Sequence, residues 1–469
     1  MRYFCSLTPE TLAKGYQKHL TASDIAWECR LDLLDDIPTF LRETHQEWMA
    51  TYRTNAHGGE GDKKERENIG WKLRLEALDQ GASWLDLEWD EKGLAGKVLE
   101  ARRRGAKVVL SHHEMEDSKD LEALSRMGHE LQVDVVKYIC VGRSFNDFIR
   151  QRQAYGKQGE NFVHFYMGDE FKSTRLLSVV YGAPFSFFSP QDTASPAPGQ
   201  LNEHDLNILR SLQKSAPIKL FAIIGSPVSH SLSPAFHQPK IQAHCAQSLY
   251  LNFPMESFQE LDACLQTFSD LSGLSITKPM KEHALKWLNQ HGATEQLCSL
   301  PSVNTLYRDH EMFKGANTDM MAIDETLADF EKRQKGRRLR ILGCGGLGKA
   351  ALQVALDRGW QVEITNRNSD RLRSVPSNCI KLEWQNRHQT GCDLLFNATS
   401  VGMGDSKQSP LDYIPSGVKA VCDTIYHPRT TRLLQLAKEQ GIETFDGPDF
   451  FKKQAQHQNR FFLNTLKHS

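Results

Sequence analysis

Two groups of residues in this sequence carry chemistry by their type and spacing. The first is Gly343-Cys344-Gly345-Gly346-Leu347-Gly348, which follows the apolar run Arg340-Ile341-Leu342 and opens a helix-compatible stretch, 349–358. Glycines at GxGxxG spacing between a strand and a helix give a tight turn and let the backbone approach a pyrophosphate, and the helix N-terminus adds unpaired N–H groups. The next strand, 361–365, ends in Asn366-Arg367-Asn368-Ser369-Asp370-Arg371. NAD enzymes place an acid at this point to hold the ribose 2′-hydroxyl. Here Asn366 and two arginines stand instead. Arg367 and Arg371 suit a 2′-phosphate through forked, charge-assisted bonds, so NADP(H) is the expected cofactor. The bland alternative is a solvated basic turn. The second group lies at the C-terminal ends of short β-rich runs in the first half: Glu28 and Arg30, Arg53, Glu88, His113, Lys137 and Arg175.

The elements that must position these residues alternate. Strand candidates are 2–7, 25–30, 47–53, 84–88, 107–111, 133–141, 162–167 and 185–188, with helix-like stretches at 64–80, 94–104 and 119–128 between some of them. Eight strands with helical connections fit a (β/α)8 barrel, and four repeats of a flavodoxin-like unit fit the same periodicity. The polar strand ends favour the barrel, in which such ends converge on one face. A loop at 189–200, a closing helix over 200–214 and a short linker at 215–217 precede a new strand at 218–225. A charged run at 331–340 marks a further shift. The expected fold class is α/β: a barrel over 1–215, a second α/β unit over 219–330 joined by the C-terminal helices near 447–469, and a Rossmann unit over 331–446.

The composition narrows the function. Of 469 residues, 39% are hydrophobic and 25% charged, an ordinary globular balance. The net charge of −1 provides no global field for nucleic acid or an anionic membrane surface. No apolar run approaches the roughly 20 residues that span a bilayer. The opening Met1-Arg2-Tyr3-Phe4-Cys5-Ser6 reads as a strand rather than a signal peptide. Ten cysteines are scattered without a CxxC pair, and the histidines lack ligand spacing, so neither a disulfide framework nor a metal site is expected. A cytoplasmic, multidomain enzyme is the natural expectation.

From Gly225 onward the motifs resemble those of shikimate dehydrogenases. They are Gly225-Ser226-Pro227-Val228-Ser229-His230-Ser231-Leu232-Ser233-Pro234, Ser275-Ile276-Thr277-Lys278-Pro279-Met280-Lys281, Val303-Asn304-Thr305, Gly315-Ala316-Asn317-Thr318-Asp319, Asn397-Ala398-Thr399, Asp423-Thr424-Ile425-Tyr426, and Gly447 through Gln454-Ala455, in the family's order. The resemblance implies that Lys281 and Asp319 form the catalytic pair. It also implies that Ser231, Ser233, Thr277, Asn304, Asp319, Tyr426 and Gln454 hold shikimate, and that Thr399, Thr424 and Gly447 lie along the cofactor. Several neutral donors suit a polyhydroxylated ring, because each unmatched hydroxyl weakens binding. The serine pair favours shikimate over quinate. Ser275, Gln238 and Ala322 depart from the family's usual Asn, Asn and Gly.

The first half resembles type I 3-dehydroquinate dehydratases. The pieces are Glu28-Cys29-Arg30, Thr51-Tyr52-Arg53, Asp86-Leu87-Glu88, Ser111-His112-His113, Val135-Val136-Lys137, Met167-Gly168 with Arg175, and Ala197-Pro198-Gly199-Gln200. By this resemblance Lys137 forms an imine with 3-dehydroquinate, His113 is the general acid/base, and Arg175 clamps the carboxylate. Glu28, Arg30, Arg53, Gln200 and Ser6 hold the remaining polar edge. The family's usual glutamate four residues after the motif arginine is His57 here, with Glu60 as its candidate substitute. The family's serine before Gln200 is Pro196, with Ser195 beside it.

Together the halves imply a fused enzyme acting on 3-dehydroquinate, 3-dehydroshikimate and shikimate, without nucleic-acid or membrane partners. Two alternatives are a dehydrogenase with a silent barrel and a metabolite-sensing regulator built on the same folds.

Overall fold

The computed structural model describes residues 1–115, 121–155, 161–190, 193, 197–213, 216–291 and 302–467. The first eight strands are β1 (Arg2–Leu7), β2 (Ile25–Arg30), β3 (Trp48–Thr51), β4 (Trp84–Glu88), β5 (Lys107–Glu114), β6 (Val135–Val141), β7 (Phe162–Met167) and β8 (Phe185–Phe188). All their pairings are parallel, in the order β7-β6-β5-β4-β3-β2-β1-β8. Every neighbouring pair around the barrel shares a ladder except β7 and β8.

Alternation along each strand explains where polar groups gather. Successive side chains point to opposite faces, so residues two apart share a face. Phe4, Ala26, Met49, Trp84, Val109, Val135, Val163 and Phe185 belong to the cluster that fills the barrel interior. Phe4, Trp84 and Phe185 meet edge to face at centroid separations of 5.3–6.1 Å. One inward position further along, six of the same strands present Ser6, Glu28, Thr51, Asp86, Ser111 and Lys137. The inward face therefore changes from apolar to ionisable toward the C-terminal end, and the apolar layer below forms a floor.

The predicted helix over 64–80 is interrupted. Lys63–Glu65 leads into a wide π-turn at Arg66–Gly70, and α-helix resumes at Trp71–Asp79. Arg66 is fully buried there, donating to Glu88 Oε2 and Asp90 Oδ1 at 2.6 Å each. Tyr52 packs so closely on Gly70 that a Cβ there would lie 2.9 Å from its ring. Such bulges admit an inserted residue without ending the helix, and this one turns a charged side chain inward.

The second sheet contains β9 (Lys219–Gly225), β10 (Ser248–Pro254), β11 (Leu271–Ile276), β12 (Thr305–Asp309) and β13 (Met312–Ala316), in the order β10-β9-β11-β12-β13. The third contains β14 (Arg338–Leu342), β15 (Gln361–Thr365), β16 (Ile380–Leu382), β17 (Leu394–Asn397), β18 (Ala420–Asp423) and β19 (Glu443–Phe445). It is wholly parallel and ordered β16-β15-β14-β17-β18-β19, the 3-2-1-4-5-6 arrangement of a dinucleotide-binding sheet. The order reverses between β14 and β17, which opens a crevice at their C-terminal ends. The C-terminal helix Gly447–Thr465 returns to the second sheet and packs along the helix Thr318–Arg333. That second helix buries Ala322, Ile323, Leu327 and Phe330 in the core of the third sheet. The barrel joins the second sheet through an aromatic seam, with Phe145 stacked on Phe253 at 4.7 Å. No described helix is long and apolar enough to cross a membrane.

Candidate active sites

A cavity of about 470 Å³ opens at the C-terminal face of the barrel. Ser6, Glu28, Arg30, Arg53, His113, Lys137, Arg175 and Gln200 all line it, so the eight residues assigned by the resemblance come together; Glu88, the other ionisable strand end, stands outside the lining and holds Arg53 and Arg66. Lys137 is buried, with Nζ 3.2 Å from Asp86 Oδ2 and 4.5 Å from the centre of the Phe187 ring. Burial pushes its amine pKa below the usual lysine value; Asp86 pulls the other way and Arg53 adds to the lowering. Burial would raise the Asp86 carboxyl, but Arg53, Lys137 and a hydrogen bond from Ser111 Oγ (2.6 Å) hold it well below its ordinary range. Arg53 is held by Asp86 (2.7 Å), Glu88 (3.3 Å) and Ser111 (2.8 Å).

His113 extends the predicted strand end inward, since β5 continues to Glu114. Burial, reinforced by Arg53, Lys137, His57 and His112, pushes its pKa well below the usual histidine value. The ring is therefore neutral at neutral pH, and its buried Nδ1 has no hydrogen-bond partner. His57 accepts a bond from the His113 backbone N–H at Nδ1 (3.2 Å), so its proton belongs on Nε2, which faces Asp90 Oδ1 at 3.5 Å. Burial raises the Asp90 carboxyl, but bonds from His57, Lys63 and Arg66 outweigh it and hold the group well below its ordinary range. Glu60 does not replace the missing glutamate: its side chain is exposed and outside the cavity. The nearby carboxylate is Asp90, one step behind His57. His57, Glu88 and Asp90 have donor atoms within 4.8 Å of one another, the spacing of a cation site. Arg53, Arg66 and Lys63 already occupy those carboxylates.

Arg175 is buried over the Phe165 ring at 4.0 Å, with one bond from its fork to the Pro198 carbonyl (3.2 Å) and Nε unpartnered. Burial alone pushes its pKa down to about 9. A buried guanidinium without a carboxylate is costly, and this one lines the cavity, an arrangement that suits a carboxylate ligand. On the opposite side Ser6 donates to Glu28 Oε2 (2.5 Å) and Thr51 to Glu28 Oε1 (3.1 Å). Arg30 forks onto Asp32, and Gln200 accepts from Ser189 Oγ (2.7 Å). Ser195 and Pro196 lie outside the described residues.

A smaller cavity, about 160 Å³, lies between the second and third sheets. Ser231, Ser233, Thr277, Lys281, Asn304, Asp319, Tyr426 and Gln454 all line it. Lys281 Nζ donates to Asp319 Oδ2 at 2.5 Å. Asn304 Oδ1 accepts from the Thr318 N–H (2.8 Å), and Gln454 Nε2 donates to Thr318 Oγ1 (3.0 Å), which fixes two amides on the cavity wall. Ser275 also lines the cavity; it accepts from Tyr250 OH (2.5 Å) and donates to Gln458 Oε1 (2.6 Å).

Beside this cavity the glycine turn leaves β14. Gly343 has φ +101°, and a Cβ at Gly348 would lie 2.0 Å from the Gly343 carbonyl oxygen, so both positions require glycine. Cys344 N–H donates to Asn366 Oδ1 (3.0 Å), tying the turn to the end of β15. Arg371 reaches back over the turn, its NH1 4.0 Å from the place of a Gly345 Cβ. Arg367 and Arg371 are exposed. Thr399 is held by Asn397 Oδ1 (2.7 Å), Thr424 by the Asn397 carbonyl (2.9 Å), and Gly447 presses against the Ile425 carbonyl. Leu347 and Thr424 line the small cavity as well as flanking the turn. A glycine cradle at the switch point with free cations beside it fits a phosphorylated dinucleotide.

Residues 3–216 match the family model of type I 3-dehydroquinase, and residues 223–306 that of the shikimate dehydrogenase substrate binding domain. A shikimate dehydrogenase (NADP(+)) of Dictyoglomus thermophilum is 32% identical over 51% of this chain and 90% of its own length. The chloroplastic bifunctional 3-dehydroquinate dehydratase/shikimate dehydrogenase of Arabidopsis thaliana is 29% identical over 95% of this chain and 78% of its own length. The chain belongs to the shikimate dehydrogenase family, and a region matching type I 3-dehydroquinase precedes that half. The dehydroquinate dehydratase and shikimate dehydrogenase of S. pombe AroM aligns with 99% of this chain and 98% of its own, at 19% identity and a TM-score of 0.41. In the dehydratase half, sequence reasoning passed over Asp86, the carboxylate nearest Lys137, and Asp90 behind His57. Asp86 shares the parity of Trp84 and could have been found from it; Asp90 carries no local signal.

Proposed function

We propose that the barrel dehydrates 3-dehydroquinate through an imine on Lys137, and that the second half reduces the product, 3-dehydroshikimate, to shikimate with NADPH. The observation that carries this is one cavity holding a buried lysine of lowered proton affinity, a neutral histidine and an arginine fork without a carboxylate.

In the dehydratase half, Arg175 takes the substrate carboxylate in planar register. The unprotonated Lys137 amine adds to the ketone carbon, and loss of water leaves a protonated imine. His113 removes a proton from the adjacent carbon, giving an enamine. The enamine expels the hydroxyl one carbon further on, and His113 returns the proton so that it leaves as water. Hydrolysis of the imine frees Lys137 and releases 3-dehydroshikimate, for a net loss of one water. Ser6, Glu28, Arg30, Arg53 and Gln200 hold the substrate's remaining polar edge.

In the dehydrogenase half, Ser231, Ser233, Thr277, Asn304, Tyr426 and Gln454 receive the ring hydroxyls and carboxylate. Lys281 gives a proton to the ketone oxygen, and Asp319 holds its ammonium in place. Bound NADPH supplies the hydride. The turn from Gly343 to Gly348 takes its pyrophosphate, Asn366, Arg367 and Arg371 its adenosine end, and Thr399, Thr424 and Gly447 its nicotinamide end. The functional units are 1–215, 219–330 with 447–469, and 331–446. A reducing compartment such as the cytoplasm suits the free thiols, most of them buried.

The test is borohydride reduction in the presence of 3-dehydroquinate. The expected result is a stable adduct on the peptide containing Lys137, absent from Lys137→Ala, together with NADPH oxidation from either 3-dehydroquinate or 3-dehydroshikimate. Oxidation from 3-dehydroshikimate alone, without an adduct, would mean a silent barrel.

A further inference from the structure

One wall of the dehydratase cavity is the segment from Gly168 to Arg175, which packs against β10 of the dehydrogenase half. Gly168, Asp169, Glu170, Phe171 and Arg175 face the cavity. Ser173 does not. It points the other way, and its Oγ donates to the backbone carbonyl of Asn252 at 2.5 Å.

Asn252 lies on β10, the edge strand of the second sheet, which pairs only with β9. In a parallel strand, alternate residues direct both N–H and C=O to the same side. Along the free edge of β10 these are Ser248, Tyr250 and Asn252. The Gln238 side chain serves the first two, donating to the Ser248 carbonyl (3.2 Å) and accepting from the Tyr250 N–H (2.6 Å). Ser173 takes the Asn252 carbonyl further along, so the barrel adds to the cover of an edge that would otherwise be more open. Its neighbours tie the same helical turn, in Lys172–Val180, to the barrel: Lys172 to Asp205 (2.5 Å) and Thr174 Oγ1 to the Tyr166 N–H (2.9 Å).

We infer that Ser173 is a positioning residue for the dehydratase reaction, setting the turn that carries Arg175 by anchoring it to the edge strand of the dehydrogenase half. Binding of the dehydroquinate carboxylate then depends on a contact made by the other enzyme of the fusion. The inference rests on the proposed role of Arg175 as the carboxylate clamp.

The experiment is a double-mutant cycle in the full chain, with Ser173→Ala, Arg175→Ala and the pair. Each is assayed with 3-dehydroquinate for the first reaction and with 3-dehydroshikimate for the second. Ser173→Ala is expected to raise the KM for 3-dehydroquinate about fivefold, the scale of one neutral hydrogen bond, with kcat and the dehydrogenase reaction unchanged. Ser173→Thr, which keeps the hydroxyl, restores it. In the Arg175→Ala background the effect of Ser173→Ala on kcat/KM disappears, because the group it positions is gone. An unchanged KM in Ser173→Ala, or the same loss in both backgrounds, overturns the inference while leaving the clamp intact. If Arg175→Ala leaves KM unchanged, the clamp reading itself fails and the inference falls with it.

Discussion

Asp86→Asn separates the electrostatics of the dehydratase site from its shape. The asparagine keeps the size of the buried side chain and can still meet Ser111, but it removes the negative charge 3.2 Å from Lys137 Nζ. That charge favours the ammonium, so removing it lowers the lysine pKa. With an effective dielectric constant of about 20, the pair at that distance is worth about 5 kcal/mol. Glu28 still attracts the ammonium and Arg53 still repels it, so the lysine pKa is expected to fall further below its ordinary value. Imine formation needs the free amine, and kcat/KM for 3-dehydroquinate therefore rises with pH as Lys137 deprotonates. In the wild type this acid limb lies below the usual lysine value; in Asp86→Asn it moves further toward acid. The assay follows the conjugated enone of the product by absorbance across a pH series, with Lys137→Ala as the blank. A limb that stays in place, or moves toward alkaline pH, would refute the assignment of Lys137 as a nucleophile poised against Asp86.

Other outcomes follow from the same geometry. Lys281→Met should lower the dehydrogenase kcat by about 10²–10⁴-fold and leave the dehydratase rate unchanged, read with each substrate separately. Arg175→Leu should raise the KM for 3-dehydroquinate by about 100-fold while raising Tm by a few degrees, because it removes a buried cation that has no carboxylate partner. A lowered Tm would count against that cation being a burden on the fold. Arg367→Ala and Arg371→Ala should each raise the KM for NADPH about tenfold or more and leave that for NADH unchanged, as measured by paired cofactor titrations.

Ionisable residues at strand ends, with the family motifs, made much of the first cavity legible. Glu28 follows Ala26 and Lys137 follows Val135 on the inward face, and the strand runs containing them matched the observed strands closely. Polar strand ends also distinguished a barrel from repeated flavodoxin-like units. Local pattern failed where distant residues set the conformation. The stretch around Arg66 reads as continuous helix, yet the pull of Glu88 and Asp90 on its guanidinium, with Tyr52 against Gly70, opens a wide turn. Glu60 resembled a substitute for a missing carboxylate by proximity in sequence, but Asp90 stands behind His57 from another strand end. The Gln238 departure gains its meaning only from the edge of β10, whose open amide and carbonyl it covers. In the reductase half the glycine turn was explicit because its steric demand is local. Asn304 and Gln454 were legible as types, but neither their link through Thr318 nor the bond from Gln458 to the Asn304 carbonyl was.

The missing ladder between β7 and β8 gives the barrel a seam. Elsewhere around the ring, separating two strands breaks a row of backbone bonds; here it breaks none. Amide hydrogen exchange would therefore begin at this line, with the outer edges of β7 and β8 losing protection before β2 or β4. The helix that bridges the seam is Lys172–Val180, so the first breathing motion of the barrel opens beside Arg175, and substrate held there would act as a stitch that slows exchange along both strands.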